Sequence, residues 1–285
     1  MTRPFRSVLY IPASRPRAME KAKTLPTDAI IFDLEDAVAI DEKANARALL
    51  TETLTQGGFG ARAQIVRVNG FETDWGADDL ATIAGAKPQA VLLPKVNRAA
   101  DIEALARLLD ANPDTADTRI WAMMESPEGI LNAAGIAAAP RMAGFVMGTN
   151  DLAKDLGART RAAMLTSLQL CLLAARAHGL VCVDGVYNAF RDEDGLAREC
   201  TEGRDFGFDG KTLIHPAQLA TANAIFAPTP EEIDLARRQI EAFDQAQSRG
   251  EGVAVVDGKI VENLHVATAR VTLAKARAIA AAEAA

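Results

Sequence analysis

The stretch RIWAMMESPEGILNAAGIAAAPRMAGFVMGTND, residues 119–151, holds two short apolar runs, IWAMM and GFVM, each followed closely by a carboxylate: Glu125 after the first and Asp151 after the second. Such short runs without polar alternation read as strands buried on both faces, as in a parallel sheet covered by helices. Each carboxylate then stands near the carboxyl end of its strand.

The same pattern recurs outward in both directions at spacings of roughly 20 to 35 residues. SVLYIPA begins at Ser7, AIIFDLEDAV at Ala29, AQIVRVNG at Ala63, AVLLPKV at Ala90, RIWAMMES at Arg119, GFVMGTN at Gly144, LVCVDGV at Leu180 and GFDGKTLIH at Gly207. Helix-period segments lie between them, among them EKANARALLTETL from Glu42, AADIEALARLLDA from Ala99 and LTSLQLCLLAARAHG from Leu165, the last with Gly179 as its C-cap. Eight alternations of strand and helix predict an α/β chain closed as a (β/α)₈ barrel. An open doubly wound sheet is the alternative, because spacing does not encode strand order.

The eighth run is followed by a charged helical segment from Glu231 to about Arg249, then GVAVVDGKIVE, then an Ala-rich helix from His265. Asp257-Gly258 between two apolar runs signals a hairpin. The expected division is a barrel over residues 1–225 and a hairpin-plus-helix extension over 226–285 that covers the mouth or contacts a neighbouring subunit.

The chain has 285 residues, 49% hydrophobic and 24% charged, with a formal net charge of −7, and a mean hydropathy of +0.03. A single barrel of about 250 residues fits that length. The charges are mixed and form no basic run, which argues against a nucleic-acid partner. There is no long apolar segment to span a membrane and no signal-peptide core at the amino terminus. Cys171, Cys182 and Cys200 stand singly, as in a reducing compartment. A cytoplasmic protein is expected.

In barrels of this kind the reactive groups come from the carboxyl ends of the strands. Searching each run there collects Arg15, Asp33, Glu35, Asp36, Arg67, Lys95, Glu125, Asn150, Asp151, Asp184, Lys211 and His215. So many acids at one mouth need a cation. Glu125 and Asp151 with waters and substrate oxygens suit Mg²⁺, whereas zinc favours Cys and His. Helix caps or ion-pair partners are the plainer reading of the same two residues. Arg67, flanked by aliphatic residues, suits a bidentate grip on a carboxylate, or an ion pair with a barrel acid such as Glu35. Lys95 admits a Schiff-base aldolase lysine. In ASRPRAMEKAK, Arg15, Arg17, Lys21 and Lys23 form either a phosphate grip or a solvated helix face. His178 and His265 fall in helices and His215 in a loop; no Ser–His–Asp, Walker or GxGxxG pattern is present.

The strings SVLYIPASRPRAMEKA, IIFDLEDAVAIDEKANAR, IVRVNG, LLPKV, MMESPEGILNA, GTNDLAKDLG and GFDGKTLIHPAQ together resemble the citrate lyase β-subunit and malyl-CoA lyase superfamily, an HpcH/HpaI aldolase-like group, from about Ser7 to Ala276. The resemblance implies a TIM barrel, an Mg²⁺ site open to Mn²⁺ as a substitute, an acyl-CoA ligand and a homotrimer or homohexamer. Residue by residue, it places the metal on Glu125 and Asp151 and the substrate carboxylate on Arg67. CoA contacts fall on Tyr10, Arg15 and Lys21, with Asn150, Ile214 and His215 bordering the acyl end. Glu35 and Asp36 match the acidic second-strand motif and anchor metal waters and Arg67. Where lyase relatives supply an aspartate across the subunit interface, this sequence has Glu262. With the tail DGKIVENLH and VDGVYNAFRDEDG, this resembles the branch that hydrolyses (3S)-malyl-CoA to malate and CoA.

Mg²⁺-dependent thioester hydrolysis is therefore the expected function, with Arg67, Glu262, Glu35 and Asp36 as its working residues. The alternatives are a C–C lyase giving glyoxylate or pyruvate with acetyl-CoA, and a citrate lyase β-like subunit acting on a carrier-bound acyl group.

Overall fold

The computed structural model describes residues 3–284 and divides into two compact units, one spanning Phe5–Asn223 and the other built from Ala224 onward. In the first, strand and helix alternate as β1 (Ser7–Pro12), α1 (Pro16–Ala22), β2 (Ala29–Asp33), α2 (Lys43–Gln56), β3 (Ala63–Arg67), α3 (Gly76–Ala86), β4 (Ala90–Leu93) and α4 (Ala99–Asp110). They continue as β5 (Arg119–Met124), α5 (Pro127–Leu131), α6 (Ala133–Ala137), β6 (Met142–Met147), α7 (Thr149–Leu156), α8 (Leu165–Ala177), β7 (Val181–Asp184), α9 (Glu193–Phe206), β8 (Gly210–Leu213) and α10 (Leu219–Phe226). Each strand pairs in parallel with the next, and β8 returns to β1 with Ser7 opposite Lys211. The sheet is a closed (β/α)₈ barrel, which excludes the open doubly wound alternative.

Val8, Ile31, Ile65, Leu92, Met123, Val146 and Val183, one from each of β1 to β7, belong to one buried cluster inside the barrel. Because side chains alternate along a strand, the residues two positions further on also face inward, nearer the carboxyl end. Those positions are Tyr10, Asp33, Arg67, Pro94, Glu125, Gly148 and Gly185. Below them Trp121 lies against Phe5, ring centroids 5.1 Å apart. A Cβ on Gly144 would meet the Trp121 indole at 2.6 Å, so only glycine lets β6 run beside it. The β5/β6 register shifts between Ile120 and Trp121, and β6 starts at Met142, two residues before the apolar run suggests.

The helices bury the faces their periodicity implies; in α4 these are Ile102, Leu105, Ala106 and Leu109. After α8 the cap is His178, and Gly179, at φ +67°, takes the left-handed position one residue later than expected.

The second unit contains α11 (Pro230–Ser248), β9 (Ala254–Val256), β10 (Lys259–Val261) and α12 (Asn263–Glu283). Asp257 and Gly258 have φ of +50° and +74°, both positive as a two-residue hairpin turn demands. Phe243, Ala246, Ala254, Val261 and Val266 form this unit's own core. The last helix begins two residues before His265. Among the described residues no helix is long and apolar enough to cross a membrane.

Candidate active site

Glu125 directly follows β5 and is 3% exposed, with its Oε1 accepting the Lys95 backbone N–H at 2.6 Å. That contact holds Lys95 at φ +52°, a left-handed conformation a lysine rarely adopts. The other carboxylate oxygen lies over Gly148, where a Cβ would come within 2.8 Å of Oε2 and 2.4 Å of the Glu125 Cβ. Burial, together with Glu35 and Asp151 and against the Lys95 N–H, pushes the Glu125 carboxyl up to about 8. Asp151 occupies the first turn of α7, half-buried, where the helix N-terminus favours negative charge. The cap of α5 is Ser126, which accepts the Gly129 N–H at 3.1 Å, and that of α7 is Gly148. Neither carboxylate is therefore a helix cap.

Arg67 is held by three acids. Its Nε donates to Asp33 Oδ1 at 2.8 Å and Nη2 to Asp33 Oδ2 at 2.5 Å, while Nη1 lies 2.7 Å from Glu35 Oε2 and 3.7 Å from Asp36 Oδ2. The fork grips Asp33, the residue opposite it in the β2/β3 register; Glu35 shares only the remaining nitrogen. The Tyr10 ring packs against the guanidinium, 5.1 Å from its central carbon. Burial pushes the Glu35 carboxyl up to about 7, with Asp36 and Asp33 adding to the rise and Arg67 opposing it. Glu35 Oε2 is buried with a charge partner but no hydrogen-bond donor. Behind this group Lys43, itself buried, donates to the carbonyls of Leu34 and Glu35 at 2.9 and 3.0 Å and to Asn69 Oδ1 at 2.8 Å. The turn carrying Glu35 and Asp36 is thus tied to the end of β3.

Tyr10, Asp33, Asp36, Arg67, Met123, Gly148, Asn150, Asp151, Asn188, Thr212 and Ile214 line one cavity of about 310 Å³ at the barrel mouth. Six of the residues singled out from sequence meet there besides Arg67: Tyr10, Asp33, Asp36, Asn150, Asp151 and Ile214. Glu125 lies just behind the Gly148 wall. Arg15 and Lys21 are exposed on α1 and outside that lining. Lys23 is engaged by Glu20, at 2.7 Å, and by the Phe59 ring. His215 is exposed, stacks on Phe190 with centroids 4.6 Å apart, and accepts the Ala217 N–H on Nδ1. Glu262 belongs to the second unit as the N-cap of α12, its backbone N–H donating to His265 Nδ1 at 3.1 Å.

Two of the residues expected at strand ends do not face the mouth, and Lys211 is the second residue of β8, not its last. Asp184 follows the inward Val183 and so points outward, where Arg161 grips it with two bonds of 3.0 Å and Lys211 adds one of 2.9 Å. Lys211 is fully buried and also binds Glu199 at 2.6 Å. The two acids keep the ammonium charged despite its burial. Lys95 has a 59% exposed side chain with its ammonium 4.0 Å from Glu35, which lacks the apolar pocket an imine-forming lysine uses. Asp33 is the residue that sequence reading undervalued. Its position as the last residue of β2, two after the inward Ile31, was the available signal.

The HpcH/HpaI aldolase/citrate lyase family profile matches residues 6–216. The chain belongs to that family. It is 66% identical over 281 residues to a (3S)-malyl-CoA thioesterase of Cereibacter sphaeroides (strain KD131 / KCTC 12085), covering 98% of this chain and 96% of that protein. It is 34% identical to the citrate lyase subunit beta of Escherichia coli (strain K12), covering 96% and 94%. Among solved structures, the family fold is matched by CitE from Mycobacterium tuberculosis in complex with magnesium, acetoacetate and coenzyme A. That match has 30% identity and a TM-score of 0.77, and covers 96% of this chain and 98% of that one.

Proposed function

We propose that this chain is an Mg²⁺-dependent acyl-CoA thioesterase that hydrolyses (3S)-malyl-CoA to malate and CoA. The observation that carries the reading is its 66% identity, along 98% of its length, with a protein of that name.

The site residues suit a divalent cation. The charge of Asp151 adds to the cost of ionising Glu125, among the described residues neither forms a salt bridge with a side-chain cation, and Glu35 Oε2 lacks a hydrogen-bond donor. Among the described residues no group of three or more His, Cys, Asp or Glu is arranged around a metal. Two carboxylates would leave the remaining positions to waters and substrate oxygens, the usual Mg²⁺ arrangement. Mn²⁺ accepts the same ligands and would substitute. The bound ion would supply an orienting Lewis acid for the acyl oxygens.

Arg67 would hold the acyl carboxylate or the growing oxyanion on Nη1, a preorganised role worth about 3–4 kcal/mol, while Asp33 keeps the fork in place. Glu35 and Asp36 would steady Arg67 and the waters around it. Arg15 and Lys21 would grip the CoA phosphates, Tyr10 would pack along the pantetheine end, and Asn150, Ile214 and His215 would border the acyl group. Glu262 from a neighbouring protomer would take the proton of the attacking water. Hydroxide then adds to the thioester carbonyl, the C–S bond breaks, and the proton passes to the CoA thiolate. A homotrimer or homohexamer would bring that residue to the site. The three buried free cysteines suit a cytoplasmic setting.

A C–C lyase reading is favoured by the family match and by the likeness to CitE. Incubating the purified protein with malyl-CoA and Mg²⁺, then measuring free thiol against glyoxylate, separates the two. Thiol released with malate supports hydrolysis. Glyoxylate formed in step with acetyl-CoA, without free CoA, overturns it.

A further inference from the structure

Gln218 is fully buried at the end of the short 3-10 turn Pro216–Gln218 that follows β8, and both polar atoms of its amide are engaged by the loops after β7 and β8. Its Oε1 accepts the backbone N–H of Ile214 at 3.0 Å and of His215 at 3.2 Å. Its Nε2 donates to the Tyr187 carbonyl at 2.9 Å. One side chain therefore joins the loop after β8 to the loop after β7. The chain of bonds continues around the rim. Asn188, next to Tyr187, exchanges two amide bonds with Asn150, of 2.7 and 3.3 Å, and Asn150 precedes Asp151 in α7. Val186, Asn188, Asn150 and Ile214 all line the cavity, while Gln218 itself does not reach it. The Tyr187 end is fixed in turn, its hydroxyl donating to Asp192 Oδ2 at 2.6 Å, and Asp192 caps α9 on the Gly195 N–H.

We infer that Gln218 is a positioning residue that holds the β7 and β8 loops in one register and so sets the wall against which the acyl group binds. This rests on the acyl-CoA reading above. A buried amide whose acceptor takes two N–H groups and whose donor meets a carbonyl has no apolar replacement of the same shape, because three backbone groups would lose their partners at once. The loops would then separate, and binding would suffer first.

The test compares wild type with Gln218→Leu and Gln218→Glu in steady-state hydrolysis of malyl-CoA, with circular dichroism for folding. For Gln218→Leu we expect KM to rise about ten-fold or more while kcat changes much less, the pattern of lost uniform binding. Gln218→Glu keeps both acceptor contacts and loses only the donor to Tyr187, so its KM falls between the other two; it also keeps the test open should the leucine variant not fold. A merely structural role would lower the folded fraction and thus the apparent kcat, with KM unchanged in both variants, and that result overturns the inference. Failure of wild type to hydrolyse malyl-CoA would instead sink the thioesterase reading on which it rests.

Discussion

Asp33 and Arg67 stand opposite each other at the last positions of β2 and β3 and are joined by two parallel hydrogen bonds, Nε to Oδ1 at 2.8 Å and Nη2 to Oδ2 at 2.5 Å. The carboxylate is 1% exposed and the arginine 7%. This pair engages Nε and Nη2, which leaves Nη1, already shared with Glu35, as the guanidinium nitrogen not bonded to Asp33.

Breaking that pair should cost both stability and activity. Asp33→Ala leaves a buried guanidinium poorly matched, a change worth about 3–5 kcal/mol of unfolding free energy. Arg67→Lys keeps the charge but loses the fork, and kcat/KM should drop about 100-fold, as expected for misplacement of a group on the ångström scale. Urea denaturation and steady-state kinetics on the two variants check this. An Asp33→Ala protein as stable as wild type would contradict the buried pairing.

Gly148→Ala should damage the metal site specifically. The added methyl meets Glu125 at 2.4 Å on its Cβ and 2.8 Å on its Oε2, so the carboxylate must turn away from its place beside Asp151. We expect the affinity for Mg²⁺, measured by calorimetric titration, to fall at least about ten-fold, within the range seen when the supports of metal ligands are altered. Gly157→Ala is a control. It strains a positive φ, of +63°, whereas Gly148 is at −88°, and a Cβ at 157 meets nothing within 4 Å, so stability alone should change.

The raised carboxyls give a pH dependence of defined sign. Glu125 titrates near 8 in the metal-free protein against an ordinary 4.5, so between those values the folded chain retains a proton that the unfolded chain has released. Stability of the metal-free protein should accordingly fall as pH rises through that window. Mg²⁺ needs the ionised form and displaces the proton. Its stabilising effect, read as the increase in thermal midpoint with and without EDTA, should grow from pH 6 to pH 9. An increase that is flat over that range would show that Glu125 does not hold the ion.

Lys211→Met separates scaffold from site. Lys211 faces Asp184 and Glu199 outside the barrel interior, so losing it leaves buried carboxylates short of a cation and should cost about 3–5 kcal/mol of stability. At a temperature where the variant remains folded, KM for malyl-CoA should match wild type. A raised KM would place this cluster in contact with the substrate wall.

The reach of the sequence can be seen residue by residue. Glu125 and Asp151 were legible because each closes an apolar run, and a barrel strand displays its end whatever its neighbours are. Asp257-Gly258 was legible because the turn needs two positive φ values that few residue pairs supply. Asp184 and Lys211 do not face the mouth as the sequence suggests: Asp184 ends β7 but points outward, and Lys211 is the second residue of β8, near its amino end. Gln218 closes the quoted string GFDGKTLIHPAQ, but its bond to the Tyr187 carbonyl, across to the loop after β7, is not visible in the chain's order.

The sequence by itself determined eight buried strands alternating with helices and carboxylates after the fifth and sixth, because apolar runs, turn residues and their order are local properties of the chain; closure into a barrel rests on β8 pairing with β1. Only the tertiary structure decided which strand-end residues look inward, since side chains alternate faces and the inward set follows from how the closed sheet registers. That parity places Asp33, Arg67 and Glu125 in the mouth and sends Asp184 and Lys211 to the outside. It also leaves the grip on Arg67 to Asp33, because the two residues stand opposite each other across a single pair of strands.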